Sequence, residues 1–220
     1  MLHQYVRSSV RLTMSVKAFQ LDQQDEISGF RDRFKLARDI IYLDGNSLGA
    51  LPLTTIKRLD QVINQEWGSG LIGSWNDAGW INLPQRLGDK LGPLIGAEPG
   101  EVIVTDSVSV NIFKILAGAL QMQKGKRKVI LSEMGNFPTD LYMIQGIQSL
   151  GLAQSKVVET DKLFEALDDS IAVLLLSHVH YKNSTIHDLT GLTSAAQNAG
   201  ALVLWDLSHS CGAMPIDLNL

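Results

Sequence analysis

Ala201-Leu-Val-Leu-Trp-Asp206-Leu-Ser-His209-Ser210 is an apolar run that ends on a carboxylate, with an imidazole three residues further on. An uninterrupted apolar run of this kind reads as a strand covered on both faces, as parallel sheets require. In an open α/β sheet, ligands bind in the crevice beyond the carboxyl ends of the strands. Asp206 and His209 therefore stand where such a sheet would present its chemistry.

Working outward, the same rhythm repeats. Val102 to Thr105 reads as a strand, Ser107 to Met122 as a helix, Lys128 to Ser132 as a strand and Thr139 to Leu150 as a helix. Ser155 to Val158 (strand), Asp161 to Leu167 (helix), Ile171 to Ser177 (strand), Leu189 to Ala199 (helix) and Ala201 to Asp206 (strand) follow. Alternating βαβα predicts an α/β fold with a mainly parallel sheet and helices on both faces. Before residue 100 the pattern changes to a polar helix over Gln23 to Arg38, the segment Tyr42-Leu-Asp-Gly-Asn-Ser-Leu-Gly49, and a helix from Leu53 to about Glu66. Trp67 to Leu83 is rich in Gly, Trp and Asn and has no clean period, which predicts an ordered loop; loops of that length are commonly functional.

Composition narrows the function classes. With 220 residues, 45% hydrophobic and 19% charged, the chain can bury a sizeable core, which excludes the disordered and fibrous classes. A net charge of −4 offers no basic face for nucleic acid, and clusters such as Lys124 to Lys128 are too short to form one. The longest apolar run, Ile171 to Leu176, is far too short to span a bilayer, so no membrane partner is expected either. A lone Cys211 excludes a disulfide framework and suits a reducing, cytoplasmic setting. The first 21 residues carry Arg7, Arg11 and Lys17 with no acid before Asp22, a composition like that of a mitochondrial transit peptide. The alternative is an upstream extension before a second start at Met14.

Three strand ends carry candidate chemistry. Asp106-Ser-Val-Ser-Val-Asn111 opens a helix, where free backbone N–H groups and the positive end of the dipole can hold a phosphate, with the Ser107 and Ser109 hydroxyls adding donors. Plain helix capping is the alternative reading. Met134-Gly-Asn-Phe137-Pro138-Thr139-Asp140 opens the next helix with a proline in its first turn. Phe137 there is either a core contact or the cover of a flat ring bound in the crevice. Asp206 could keep a pyridine nitrogen protonated, which is what pyridoxal phosphate needs from its protein, or it could be a helix cap or ion-pair member. Together the three ends point to a planar, phosphorylated ligand. His209 could orient Asp206 or meet the phosphate. His178, His180 and His187 fit no zinc spacing, so no metal site is expected.

These pieces resemble the kynureninases, fold-type I pyridoxal phosphate enzymes of the class V aminotransferase superfamily. The resemblance rests on Asp44-Gly-Asn-Ser-Leu-Gly49, Ser74-Trp-Asn-Asp-Ala-Gly-Trp80, Val108-Ser109-Val-Asn111, Phe137-Pro-Thr-Asp140, Ser177-His-Val-His-Tyr181 and Trp205-Asp-Leu-Ser-His209, in this order, and runs from Tyr42 to the end. It implies the large domain of a fold-type I enzyme, with 1–41 as an N-terminal extension and helix, 42–100 carrying substrate-side loops, and 101–220 forming part of the cofactor-binding α/β domain. It implies that Val108 and Ser109 bind the cofactor phosphate, that Phe137 stacks on the pyridine ring, and that Pro138, Thr139 and Asp140 belong to the same binding stretch. Asp206 would partner the ring nitrogen, with His209 its neighbour and Ser177 a further cofactor contact. Ser47 and the loop from Trp75 to Trp80 would shape the substrate pocket. Cys211 stands where relatives commonly have a small residue, and Lys182-Asn-Ser-Thr-Ile departs from the Thr-Gly pattern of the family.

The activity so implied is hydrolysis of the Cβ–Cγ bond of L-kynurenine to anthranilate and L-alanine, in tryptophan degradation, by a homodimer. That chemistry requires a Schiff-base lysine, which the family carries beyond the Asp206 motif and which is expected past Leu220. Lys182 lies in a loop where nothing activates it as a substitute. The chain is therefore expected to hold the cofactor bed without its covalent anchor, to be inactive alone, and to be marginally stable with one sheet edge open. Two alternatives remain: a sister enzyme such as a cysteine desulfurase, or a non-catalytic fragment that associates with a partner subunit.

Overall fold

The computed structural model describes residues 16–123 and 125–219; the basic stretch with Arg7 and Arg11, and the transit-like reading attached to it, lie outside the described residues. Four strands, β1 (Val129–Glu133), β2 (Gln154–Val158), β3 (Ile171–Ser177) and β4 (Leu202–Asp206), pair in the order β2-β1-β3-β4, every pair parallel. The reason is in the sequence of β3, buried at all seven positions. Val173 and Leu175 point to one face, with Ile112, Leu116, Ile144 and Ile147; Leu174 and Leu176 point to the other, with Leu163, Leu192 and Ala196. An apolar residue at every position of a strand is satisfied only by helices on both sides.

The helices are α1 (Val16–Gln24), α2 (Leu53–Gln61), α3 (Ser74–Asp77), α4 (Leu83–Leu91), α5 (Val108–Met122), α6 (Pro138–Ser149), α7 (Leu163–Ala166) and α8 (Leu189–Asn198). Their starts are written locally. The Ser107 hydroxyl accepts from Val110 N at 3.5 Å before α5, Pro138 takes the first position of α6, and Asp188 Oδ1 accepts from Gly191 N at 2.9 Å before α8. α5 and α6 pack against β1 and β3 on one face, and α7 and α8 lie over the other.

The structure corrects several elements. Val102 to Thr105 joins no strand among the described residues: Val104 N donates to Pro84 O at 3.1 Å and Gln85 Nε2 to Val102 O at 3.0 Å, so the start of α4 takes the place of a ladder. Of the helix expected over 23–38, only the last two residues of α1 and a 3₁₀ segment, Ser28–Arg33, are helical. Asp25 breaks it by accepting from Ile27 N at 3.0 Å through Oδ1 and from the Ser28 hydroxyl through its carbonyl. α2 ends at Gln61 and continues as a π-helical turn, Val62–Trp67. The segment over 161–167 is a 3₁₀ turn, Thr160–Lys162, followed by α7. The stretch 67–83 is a chain of short helical turns rather than an open loop, with Gly79 at φ +69 linking two of them. β2 is not continuously apolar, as its edge position allows.

The chain divides into two compact units, Met1–Ser74 and Trp75–Leu220. Within the first, Phe34 bridges Pro52 in antiparallel fashion, Lys35 N donates to Leu51 O at 2.8 Å, and Ser74 alone is fully buried among the described residues. The sheet and its helices make up the second.

Candidate functional site

Because β1, β3 and β4 run parallel, their carboxyl ends open on one edge, and the residues that follow them share it. Ser177 lies opposite Asp206 in the β3–β4 register, and His178 N donates to Asp206 O at 2.9 Å. The turn after β1 is joined to this edge by Asn136, 3% exposed. Its Oδ1 accepts from Phe137 N at 2.8 Å and Ser177 N at 3.1 Å, while its Nδ2 donates to Ser132 Oγ at 3.1 Å. One amide thus fixes the start of α6 against the end of β3. The reading of the sequence missed Asn136; the signal available was an Asn just before Phe-Pro, where its side chain can bond the backbone of the turn.

Three aromatic rings meet at this edge. Phe137 is edge-on to Tyr181 at 5.1 Å between centroids and tilted to His209 at 6.0 Å, and Tyr181 stacks on His209 at 6.5 Å. His180 also stacks on Tyr181, at 5.4 Å. Tyr181 was not singled out beforehand, since an aromatic in a loop carries no periodic signal.

The acidic pair is the electrostatic centre. Asp206 is held by Ser208, whose N–H and hydroxyl both donate to Oδ1, at 2.8 and 2.5 Å; the carboxylate is thus oriented by Ser208, not by His209. Asp140, in the first turn of α6, is fully buried, and neither of its oxygens meets an N–H or hydroxyl of the protein. Burial first, and then the neighbouring Asp206 carboxyl, push it up to about 7. Two carboxyls this close cannot both be charged at low cost, so Asp140 keeps its proton well above the ordinary carboxylate range, up to about pH 7.

Several buried polar atoms at this end of the sheet have no protein partner: Ser177 Oγ, His209 Nδ1 and both Asp140 oxygens. Buried polar groups in a folded protein are nearly always paired, so unpaired ones at the ends of three adjacent strands make this edge the candidate site for a polar ligand. Val108 and Ser109 form the first turn of α5, a fifteen-residue helix, and Pro138 and Thr139 are half-buried in the first turn of α6. Trp75 lies in the second unit, 47% exposed and edge-on to Trp80 at 6.4 Å. Ser47 lies in the first unit, exposed, its hydroxyl donating to Asp44 Oδ1 at 2.7 Å. A separate cleft of about 950 Å³ follows β4 and α8, lined by His178, Thr193, Gln197 and Trp205 among others.

Residues 41–220 match the family model for aminotransferase class-V. Over 213 residues the chain is 49% identical to a kynureninase of Burkholderia pseudomallei, covering 92% of this chain and 50% of that protein. A kynureninase of Pseudomonas fluorescens is 47% identical over 205 residues, covering 90% and 49%. The chain spans about half the length of the curated relatives it matches. Among solved structures, a C-DES variant with glycine covalently linked to its PLP cofactor superposes with a TM-score of 0.71 at 17% identity, covering 85% of this chain and 51% of that one. A cysteine desulfurase from Thermococcus onnurineus gives 0.66 at 17% identity, covering 86% and 49%. At that identity the likeness is one of fold. With its parallel sheet shared with fold-type I enzymes and the family model matched from residue 41 onward, the chain belongs to the class-V aminotransferase family of pyridoxal phosphate-dependent proteins.

Proposed function

We propose that this chain forms the cofactor bed of a kynureninase, which hydrolyses L-kynurenine, and 3-hydroxykynurenine as a second substrate, to anthranilate or its hydroxy form and L-alanine. The observation that carries the reading is the set of unpaired buried groups where β1, β3 and β4 end, in a chain 49% identical to a kynureninase. The desulfurase alternative has only fold likeness behind it, at 17% identity.

The side chains fit pyridoxal 5'-phosphate in kind. Asp206, oriented by Ser208, would accept from a protonated ring nitrogen, with Asp140, whose carboxyl is raised by burial and by Asp206, beside it. Phe137 covers the ring, with His209 and Tyr181 extending the aromatic wall. Ser177 Oγ donates to the cofactor. Val108 and Ser109, with the free N–H groups of α5 and with Pro138 and Thr139 shaping the neighbouring turn, hold the phosphate. When bound, pyridoxal phosphate supplies an electron sink for breaking bonds next to the substrate's amine. Ser47 and Trp75 belong on the substrate side in this reading. The intact enzyme acts as a cytoplasmic homodimer in tryptophan degradation. No lysine of these 220 residues is assigned as its covalent anchor; Lys182 Nζ lies 5.2 Å over the Tyr181 ring, on an exposed turn. The 220-residue chain by itself then binds pyridoxal phosphate without turning over kynurenine.

Fluorescence titration of the chain with pyridoxal phosphate, followed by borohydride and intact mass, tests this. The expected result is saturable binding without a covalent adduct and no anthranilate from kynurenine, with D206N binding about 10- to 100-fold more weakly, as loss of a charge-assisted hydrogen bond predicts. Equal binding by wild type and D206N would overturn the assignment.

A further inference from the structure

His187 fits no metal spacing with the other histidines, but the structure gives it a partner. Its Nε2 lies 2.8 Å from Oε1 of Glu133, the last residue of β1, with the two side chains 6% and 1% exposed. The other carboxylate oxygen, Oε2, accepts from the Thr160 hydroxyl at 2.6 Å. Burial alone would raise the Glu133 carboxyl; the hydrogen bonds from His187 and Thr160, with the charges of His187 and His180, more than offset it and hold it below the usual range. Burial also pulls His178 down, helped by His187.

A buried carboxylate–imidazole contact contributes little net stability, since desolvation cancels most of the attraction and apolar residues of the same size do as well. What such a pair does well is fix one arrangement. His187 closes a hairpin-like loop, residues 178–187: His187 N donates to His178 O at 3.0 Å, Val179 bridges Ile186, and His180 N donates to Thr185 O at 2.9 Å. His180 packs so closely on the turn after β1 that a Cβ at Gly135 would lie 2.8 Å from its Nε2. The loop's exposed tip carries Tyr181, whose ring meets Phe137 and His209. One leg of the loop is thus tied to β1, and its tip supplies a wall of the cluster assigned above to the cofactor.

We propose that Glu133 and His187 are a positioning pair that locks the 178–187 loop onto the end of β1 and so sets Tyr181 against Phe137 and His209. The proposal rests on the cofactor reading for its purpose but not for its geometry. Two variants of the full chain test it: E133Q, which removes the charge, and E133M/H187L, which replaces the pair with apolar side chains of similar size. Pyridoxal phosphate affinity is measured by fluorescence titration, and loop order by the rate of tryptic cleavage after Lys182 without cofactor. Both variants are expected to bind pyridoxal phosphate about tenfold more weakly and to be cut after Lys182 about tenfold faster, while E133M/H187L melts no lower than wild type. A double variant that melts like wild type, binds like it and is cut at its rate overturns the proposal, for the pair would then be filler. If E133M/H187L fails to fold, E133Q decides on the same two measurements. If wild type does not bind pyridoxal phosphate, the cofactor reading falls, and the cleavage rate after Lys182 alone supports or overturns the lock.

Discussion

The two units use apolar residues in opposite ways. In the first, Ile41, Leu43 and Leu48 are 79%, 89% and 74% exposed, and structure is held by local polar contacts such as the Tyr42 hydroxyl donating to Leu48 O and Ser47 to Asp44. In the second, Ile171 to Leu176 are at most 1% exposed, and the sheet holds Ser177 and Asp206 in register. The contrast teaches that a recognisable motif and a built site are separate things. Asp44-Gly-Asn-Ser-Leu-Gly49 is as specific a segment as Phe137-Pro-Thr-Asp140, yet only the second is fixed by a core beneath it.

The contrast can be broken at its strongest point with L174A. This side chain, 0% exposed in β3, should cost about 3 kcal/mol and lower the urea midpoint of the chain accordingly. G88A comes next. A Cβ there would lie 1.9 Å from Val102 O, so α4 and the 102–105 segment must part, at about 2.5 kcal/mol by the same measurement.

D140N sharpens the comparison by pH. An acid whose folded pKa is raised, here to about 7, adds stability that is complete below its unfolded value near 3.8 and is lost as pH climbs through about 7. Wild type should therefore lose stability between pH 4 and pH 8 through this carboxyl, and D140N should lack that part of the loss. Urea midpoints of both proteins at the two pH values give the answer, and parallel pH curves would remove the acid pair as its cause. The smallest effect belongs to the first unit. L43S, at a side chain 89% exposed, should change the midpoint by less than about 0.5 kcal/mol; a larger loss would mean that Leu43 is covered in solution.

Much of the second unit was legible in advance. β3 was read end to end because its consecutive apolar positions need cover, and α5 and α6 began where a cap or a proline announced them. Val102 to Thr105 was misread because β-branched residues favour extended backbone wherever it lies, and only the nearby start of α4 decided that its hydrogen bonds go to a helix. The polar helix over 23–38 failed at Asp25, whose side chain competes for backbone N–H groups.

The same division runs through the site. Local pattern put Phe137, Asp206 and His209 at strand ends and helix starts, whereas Asp140 and Ser177 were named only through the resemblance to the kynureninases. Asn136 joining β1 to β3, Ser208 rather than His209 holding Asp206, the proton on Asp140, and the Glu133–His187 pair could not be named from the sequence. Periodicity and capping are properties of neighbours in the chain, and the sequence by itself determined those: the strands, the helix starts and the edge of the sheet where chemistry gathers. A pKa pushed to about 7, or a hydrogen-bonded carboxylate and imidazole 54 residues apart in sequence, depends on which desolvated groups meet after folding, and only the tertiary structure decided that.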